Sequence, residues 1–171
     1  MRPVADYLME SDTEARRIFE KTDLQATRFQ LELSGLRSGM HSLDVGCASG
    51  AATLELARIC YPSTVVGVDA SDAQLIEARR IAKMVAVQNV RYMSGNVYDL
   101  PFEDNSFDFV WARFLLEYLK EPLVAISELK RVTKSGGLVV CADLDGNCLF
   151  HYPIDSRLEA GLLKVMGKLR K

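Results

Sequence analysis

The stretch Leu43-Asp44-Val45-Gly46-Cys47-Ala48-Ser49-Gly50 decides how this chain is read. Its front half suits a buried strand, and its back half is a glycine-bearing turn that opens a helix. Glycines at such a turn permit a tight bend and close approach of the backbone to a ligand. Asp44 stands two positions before the first of them. In open α/β sheets, ligands collect at the carboxyl ends of the strands, so the end of the next strand matters as much. Gly67-Val68-Asp69 closes the following apolar run with a second carboxylate. About 20 residues after the glycine turn, a carboxylate can accept both hydroxyls of a ribose.

Outward from these two stretches, helix and strand signals alternate, the pattern of a parallel sheet covered by helices. Ser11-x-x-Glu14 is a capping box for a first helix, and a second helical stretch runs from about Leu24 to Leu36. Strands are expected near 41–46, 64–69, 90–93, 107–111 and 138–142. A helix near 50–60 is broken by Tyr61-Pro62-Ser63. Ser71-x-x-Gln74 caps the next helix, whose stripe Leu75, Ala78, Ala82, Val85 faces the sheet. Glu121-Pro122 begins another, with proline at its favoured first position, and Lys134-Ser135-Gly136-Gly137 ends it. A last helix is expected from about Asp155 to Arg170. Phe107, Phe109 and Trp111 alternate at strand spacing and read as core.

Composition narrows the function. The 171 residues suit one domain with a real core, and about half of them are apolar. A formal net charge of −2 gives no electrostatic case for nucleic acid or an anionic membrane. The Arg79-Arg80 pair with Lys83 reads as a solvated helix face. No apolar run approaches the roughly 20 residues that span a bilayer, and Asp6 and Glu10 interrupt any signal-peptide layout. Cys47, Cys60, Cys141 and Cys148 form no CxxC pair and read as buried free thiols of a reducing, cytoplasmic protein. With only His41 and His151, no metal site is expected.

Ligand chemistry follows from the strand ends. A nucleoside across them places its ribose on Asp69 and its adenine near Asn96, whose amide donates and accepts. A dinucleotide brings a pyrophosphate, which Asp44 would repel; its loop normally aims a helix N-terminus at the anion. Asp44 instead suits an ammonium, such as that of a methionine moiety. The glycine pattern is Gly-x-Ala-x-Gly rather than Gly-x-Gly-x-x-Gly. These features favour S-adenosylmethionine over NAD.

The chain resembles the class I S-adenosylmethionine-dependent methyltransferases, in the small-molecule group that includes the ubiquinone/menaquinone-type enzymes. Residues 43–50, LDVGCASG, resemble the first motif, and GVDAS the second-strand motif. GNVYDLPFEDNSFDFVWAR and ELKRVTKSGGLVV resemble two further stretches of the family, in the family's order. The likeness covers about residues 36 to 145. It implies a Rossmann-like three-layer α/β fold with a parallel sheet and helices on both faces. It also implies a helical lid over residues 1–36, a cofactor-binding core over 37–145, and the start of an acceptor region over 146–171.

Carried over by position, the resemblance puts Asp44, Gly46, Cys47, Ala48 and Gly50 around the methionine part of the cofactor. Asp69 holds the ribose hydroxyls and Ala70 lies by the adenine. Asn96 and Val97 read the adenine edge, and Arg113 sits near the methionine end. Tyr7 and Arg17 are lid candidates. The product would be S-adenosylhomocysteine and the acceptor a small molecule. No catalytic base is nominated. Ala48 replaces the usual middle glycine, which is tolerable only where the local backbone is ordinary, since positive φ is costly for alanine. Asn96 replaces a common aspartate.

About five strands of the family's seven, ordered 3-2-1-4-5-7-6, are found. The chain is therefore expected to be either a fragment or a short form. Its fifth strand would be an open edge suited to pairing with a second copy as a homodimer.

Plainer readings compete at each position. Asp69 also suits a helix cap before Ser71, Asp44 a loop brace, Asn96 a turn residue, Arg113 a surface cation, and His151-Tyr152 a solvated loop. Nucleic-acid methyltransferase motifs are absent after the fourth strand, where Arg113-Phe114-Leu115-Leu116 stands. The expectation is therefore a small-molecule methyltransferase. The alternatives are a non-catalytic or truncated S-adenosylmethionine-binding module and, further off, an NAD-dependent oxidoreductase.

Overall fold

A computed structural model describes residue 17 and residues 19–143 of the chain. The described strands are β1 (Ser42–Val45), β2 (Val65–Asp69), β3 (Val90–Ser94), β4 (Phe107–Arg113) and β5 (Thr133–Ala142). The helices are α1 (Leu24–Leu33), α2 (Ala51–Cys60), α3 (Asp72–Met84) and α4 (Pro122–Val132), with a 3-10 turn at Leu116–Tyr118. The strands form one sheet in the order β3-β2-β1-β4-β5, and every pairing is parallel. This is the expected α/β architecture, with the strand order of the family's first five strands.

β1 is central and wholly buried. A strand covered on both faces reads as a continuous apolar run, and Ser42 and Asp44 are the exceptions within it. Helix α4 covers one face: Ala125, Leu129 and Val132 pack on Leu43, Val66, Val68 and Val110. The other face is covered by α1, α2 and α3. Leu31 and Leu56 meet Phe109 and Trp111 there, and Leu54, Leu75 and Ala78 cluster with Tyr92. The alternation of Phe109, Val110, Trp111 and Ala112 between these clusters follows the period-2 rule of a strand.

Local chemistry sets the helix starts. Asp23 Oδ1 accepts from the Ala26 amide at 2.9 Å and caps α1. Ser71 caps α3, and Pro122 occupies the first turn of α4. Helix α2 has no side-chain cap; it starts from Gly50 at φ +82°.

The structure corrects three expectations. Val85 lies past the end of α3 and is 40% exposed, so it leaves the stripe that Leu75, Ala78 and Ala82 keep. The Lys134-Ser135-Gly136-Gly137 run does not separate α4 from the next strand. β5 starts directly at Thr133, and the run bulges within it, between the Phe107↔Thr133 and Phe109↔Leu138 pairings. The Asn105 and Ser106 amides donate to the Arg131 and Val132 carbonyls and hold the helix end against the start of β4, ahead of the bulge. Cys141 is exposed on the edge strand, whereas Cys47 and Cys60 are buried.

The capping box at Ser11, Tyr7, Cys148, the His151-Tyr152 pair and the helix expected from Asp155 lie outside the described residues. Among the described residues, no helix is long and apolar enough to cross a membrane.

Candidate functional site

The β1–α2 turn is stitched to the neighbouring strand. The Gly46 and Cys47 amides both donate to the Val68 carbonyl, at 2.8 and 3.0 Å. The Ala48 amide donates to Asp69 Oδ2 at 2.8 Å, and the Ser71 amide to Asp69 Oδ1 at 2.9 Å. Asp69 thus stands at the tip of β2, where one oxygen braces the β1–α2 turn and the other accepts from the Ser71 amide ahead of α3. Gly46 and Gly50 occupy the left-handed region at φ +72° and +82°. Ala48 does too, at φ +46°. The condition of an ordinary backbone at Ala48 therefore fails, and the turn keeps its shape against alanine's preference.

A cavity of about 390 Å³ opens over this turn. Asp44, Gly46, Cys47, Ala48 and Ser49 form one wall, and Arg113, Phe114 and Tyr118 another. The start of α1 closes it with Asp23, Ala26, Thr27 and Gln30, and Arg17 and Lys21 stand beside them. Of the expected lid residues, Arg17 lines this cavity. Gly50 is buried behind the turn. Asp69, Ala70, Asn96 and Val97 lie outside the cavity wall, along the ends of β2 and β3. Ala70 is exposed. Asn96 Oδ1 accepts from the Tyr98 amide at 3.0 Å, a local turn bond. The Val97 side chain is part of the core under α4.

The electrostatics of the cavity centre on two opposite charges. Asp44 is 2% exposed, and its Oδ2 accepts from the Thr53 hydroxyl at 2.6 Å. Burial raises its pKa to about 6 against the opposing pull of Thr53 and Arg113. Burial lowers the pKa of Arg113, and Asp44 counteracts it. The Cys47 thiol is pushed well up by burial, then by Asp44 and Asp69, so it is a neutral wall rather than a nucleophile. Asp69 is also raised by burial, in opposition to the Ser71 and Ala48 amides.

Further side chains stand against these residues. The Ser49 hydroxyl is buried and has no hydrogen-bond partner among the described residues, although its residue lines the cavity. Such a group is costly unless something polar meets it. Thr53 sits one turn into α2 and reaches back to Asp44. The Tyr92 ring lies where side chains of Gly50 and Gly67 would stand: a Cβ on Gly67 would meet Tyr92 Cδ1 at 2.7 Å. The unpaired hydroxyl of Ser49 was already inside the quoted motif; Thr27 and Tyr92 come from segments that no motif covers.

A methyltransferase-domain family profile matches residues 43–141. The chain belongs to the methyltransferase-domain family. That is the family the four motifs resemble. A demethylmenaquinone methyltransferase of Staphylococcus aureus is 40% identical over 140 residues, which are 79% of this chain and 56% of that protein. The chain spans about half the length of the curated relatives it matches. Among solved structures, a SAM-dependent methyltransferase from Aquifex aeolicus superposes with a TM-score of 0.73 at 24% identity, covering 89% of this chain and 85% of that one. This likeness speaks for the fold. The [4+2]-cyclase SpnF superposes with a TM-score of 0.64 at 32% identity, over 69% of this chain and 43% of that one.

Proposed function

We propose that the methyltransferase domain binds S-adenosylmethionine and serves methyl transfer to a small-molecule acceptor. The observation that carries this reading is the opposition of Asp44 and Arg113 across one cavity above the glycine turn. A methionine moiety is a zwitterion, with an ammonium for Asp44 and a carboxylate for Arg113. The Ser49 hydroxyl on the same wall, unpartnered among the described residues, supplies a further polar group that such an end would satisfy. A pyrophosphate would meet Asp44 as a like charge. The residues therefore fit S-adenosylmethionine better than NAD.

When bound, the cofactor supplies a methyl group already activated on a sulfonium. The protein's contribution is placement. Asp44, Arg113 and Ser49 hold the amino-acid end, and the Gly46–Gly50 turn sets how closely the backbone approaches. Asp69 and Ala70 serve the ribose and adenine, with Asn96 and the main chain of Val97 at the adenine edge. Proximity and alignment can supply most of the acceleration for such a displacement. Arg17 and Lys21 lie on the lid side, over residues 1–36, where an acceptor would enter beside the core of 37–145. The relatives' name favours a quinone-class acceptor. A cytoplasmic setting and pairing of the β5 edge with a second copy complete the reading. A sedimentation run showing a monomer at high concentration removes the dimer.

Calorimetric titration of the full chain tests the cofactor. S-adenosylmethionine and S-adenosylhomocysteine should bind and NAD should not, and Asp69→Ala should weaken both. Binding of NAD alone would replace this reading with the oxidoreductase one. The likeness to a [4+2]-cyclase makes methyl transfer a separate question. Incubation with methyl-labelled cofactor and hydroxyl-bearing aromatic acceptors answers it, and binding without transfer would favour the non-catalytic module.

A further inference from the structure

We propose that Thr27 and Phe114 are positioning residues that act through Arg113. The inference rests on the cofactor reading above and concerns how the cavity's cation is held. Arg113 ends β4, and its side chain is gripped from two sides. Its Nη1 donates to Thr27 Oγ1 at 2.8 Å. Its guanidinium carbon lies 5.3 Å from the centroid of the Phe114 ring, within cation–π range.

Both grips are built for the purpose. Thr27 is 1% exposed, and its own hydroxyl donates to the Asp23 carbonyl at 2.7 Å. With that proton committed, Oγ1 presents a lone pair to Arg113. Phe114 holds φ +52°, a backbone conformation that bulky side chains rarely adopt. Its amide is anchored to the Ala142 carbonyl at 2.9 Å. The strained turn leaves the ring 46% exposed beside the cavity it lines. The half-exposed ring has a cation against its face.

A free arginine samples many rotamers, and fixing it on binding weakens affinity. Held by Thr27 and Phe114, Arg113 is already in place before a ligand arrives. Because Thr27 belongs to α1 and Arg113 to β4, the docking of α1 also decides where the cation stands. The groups acting on Asp44 from the other elements are Thr53 of α2, Asp69 of β2, Cys47 of the turn and Tyr92 of β3. Lys21 and Asp23 line the same cavity from the lid side. None of these is altered by the variants below.

Four versions of the 171-residue chain separate a positioning role from a structural one: wild type, Thr27→Val, Thr27→Ser and Phe114→Gly. Two readouts are taken. One is the calorimetric Kd for S-adenosylhomocysteine. The other is the titration of the Asp44 carboxyl carbon by NMR in the ligand-free chain. Thr27→Val should weaken binding roughly tenfold, the scale of one hydrogen bond to a charged group, and raise the Asp44 midpoint. Thr27→Ser should stay within about twofold of wild type, a small part of that one-bond effect. Phe114→Gly should weaken binding while its thermal midpoint holds or rises, because glycine relieves the positive φ. Loss of affinity and of stability together would mark Phe114 as structural only. Wild-type affinity and an unmoved Asp44 titration in Thr27→Val would overturn the proposal while leaving the cofactor reading intact. If wild type does not bind, the cofactor reading falls; the Asp44 midpoint then decides, an upward move in Thr27→Val sustaining the grip and an unchanged midpoint ending it.

Discussion

The Ala48 amide donates to Asp69 Oδ2 at 2.8 Å, so the tip of β2 holds the middle of the β1–α2 turn. This bond, with the two amides on the Val68 carbonyl, keeps Ala48 at φ +46°. An alanine in the left-handed region gives up about 1–2 kcal/mol. The turn's geometry is therefore imposed by its neighbours rather than by the residue at its centre.

Ala48→Gly should release that strain. Glycine loses more entropy on folding, which offsets part of the gain, so the net expectation is a stabilisation of about 0.5–1 kcal/mol. Urea denaturation reads it directly. A loss of stability would mean that the methyl group makes packing contacts worth more than the strain.

Asp69→Asn keeps the shape of the side chain but turns one acceptor into a donor. The amide of Ala48 or of Ser71 then faces an N–H group. The expected loss is about 1–3 kcal/mol, together with weaker binding of S-adenosylhomocysteine. If stability is unchanged, the two backbone bonds do not brace the turn.

Asp44 makes stability depend on pH in a definite direction. Its folded pKa of about 6 lies above the ordinary value of 3.8. Between those values the folded chain keeps a proton that the unfolded chain has released. The contribution of this group is therefore full below about pH 4, falls as pH rises, and levels off above about pH 6. Asp44→Asn removes the term, so it should be more stable than wild type at pH 7.5 by on the order of 1–3 kcal/mol. The advantage should vanish near pH 4. The same variant should bind S-adenosylhomocysteine less well, and wild-type affinity should drop below pH 6 as the carboxylate is neutralised. A pH-independent difference between the two proteins would contradict this account.

Gly67→Ala should clash with the Tyr92 ring, since the added carbon would stand 2.7 and 2.8 Å from two ring atoms and 3.1 Å from Cys47 Sγ. Overpacking of this kind costs about 1–3 kcal/mol. In a Tyr92→Val background the same substitution should be far less damaging. A double-mutant cycle with no coupling would show that the sheet, not the ring, sets the space at Gly67.

The alternation of apolar runs and capped helices determined the sheet and its helices from the sequence alone. So did Pro122 at the start of α4 and the carboxylates at two strand ends. These are short-range signals, in which each residue's preference agrees with the element it joins. The Lys134–Gly137 run misled because glycines mark a turn locally, while pairing between β4 and β5 absorbed them into a bulge. Only the tertiary structure decided that Asp69 braces Ala48, that Tyr92 fills the space over two glycines, and that Thr27 meets Arg113. Thr27 and Arg113 lie 86 positions apart in sequence. Contacts at that distance depend on how α1 docks across the end of β4, and no local spacing encodes them. The sequence determined which chemical groups the strand ends carry. The packing of the sheet and its helices determined which of those groups face one another, and how strongly burial perturbs them.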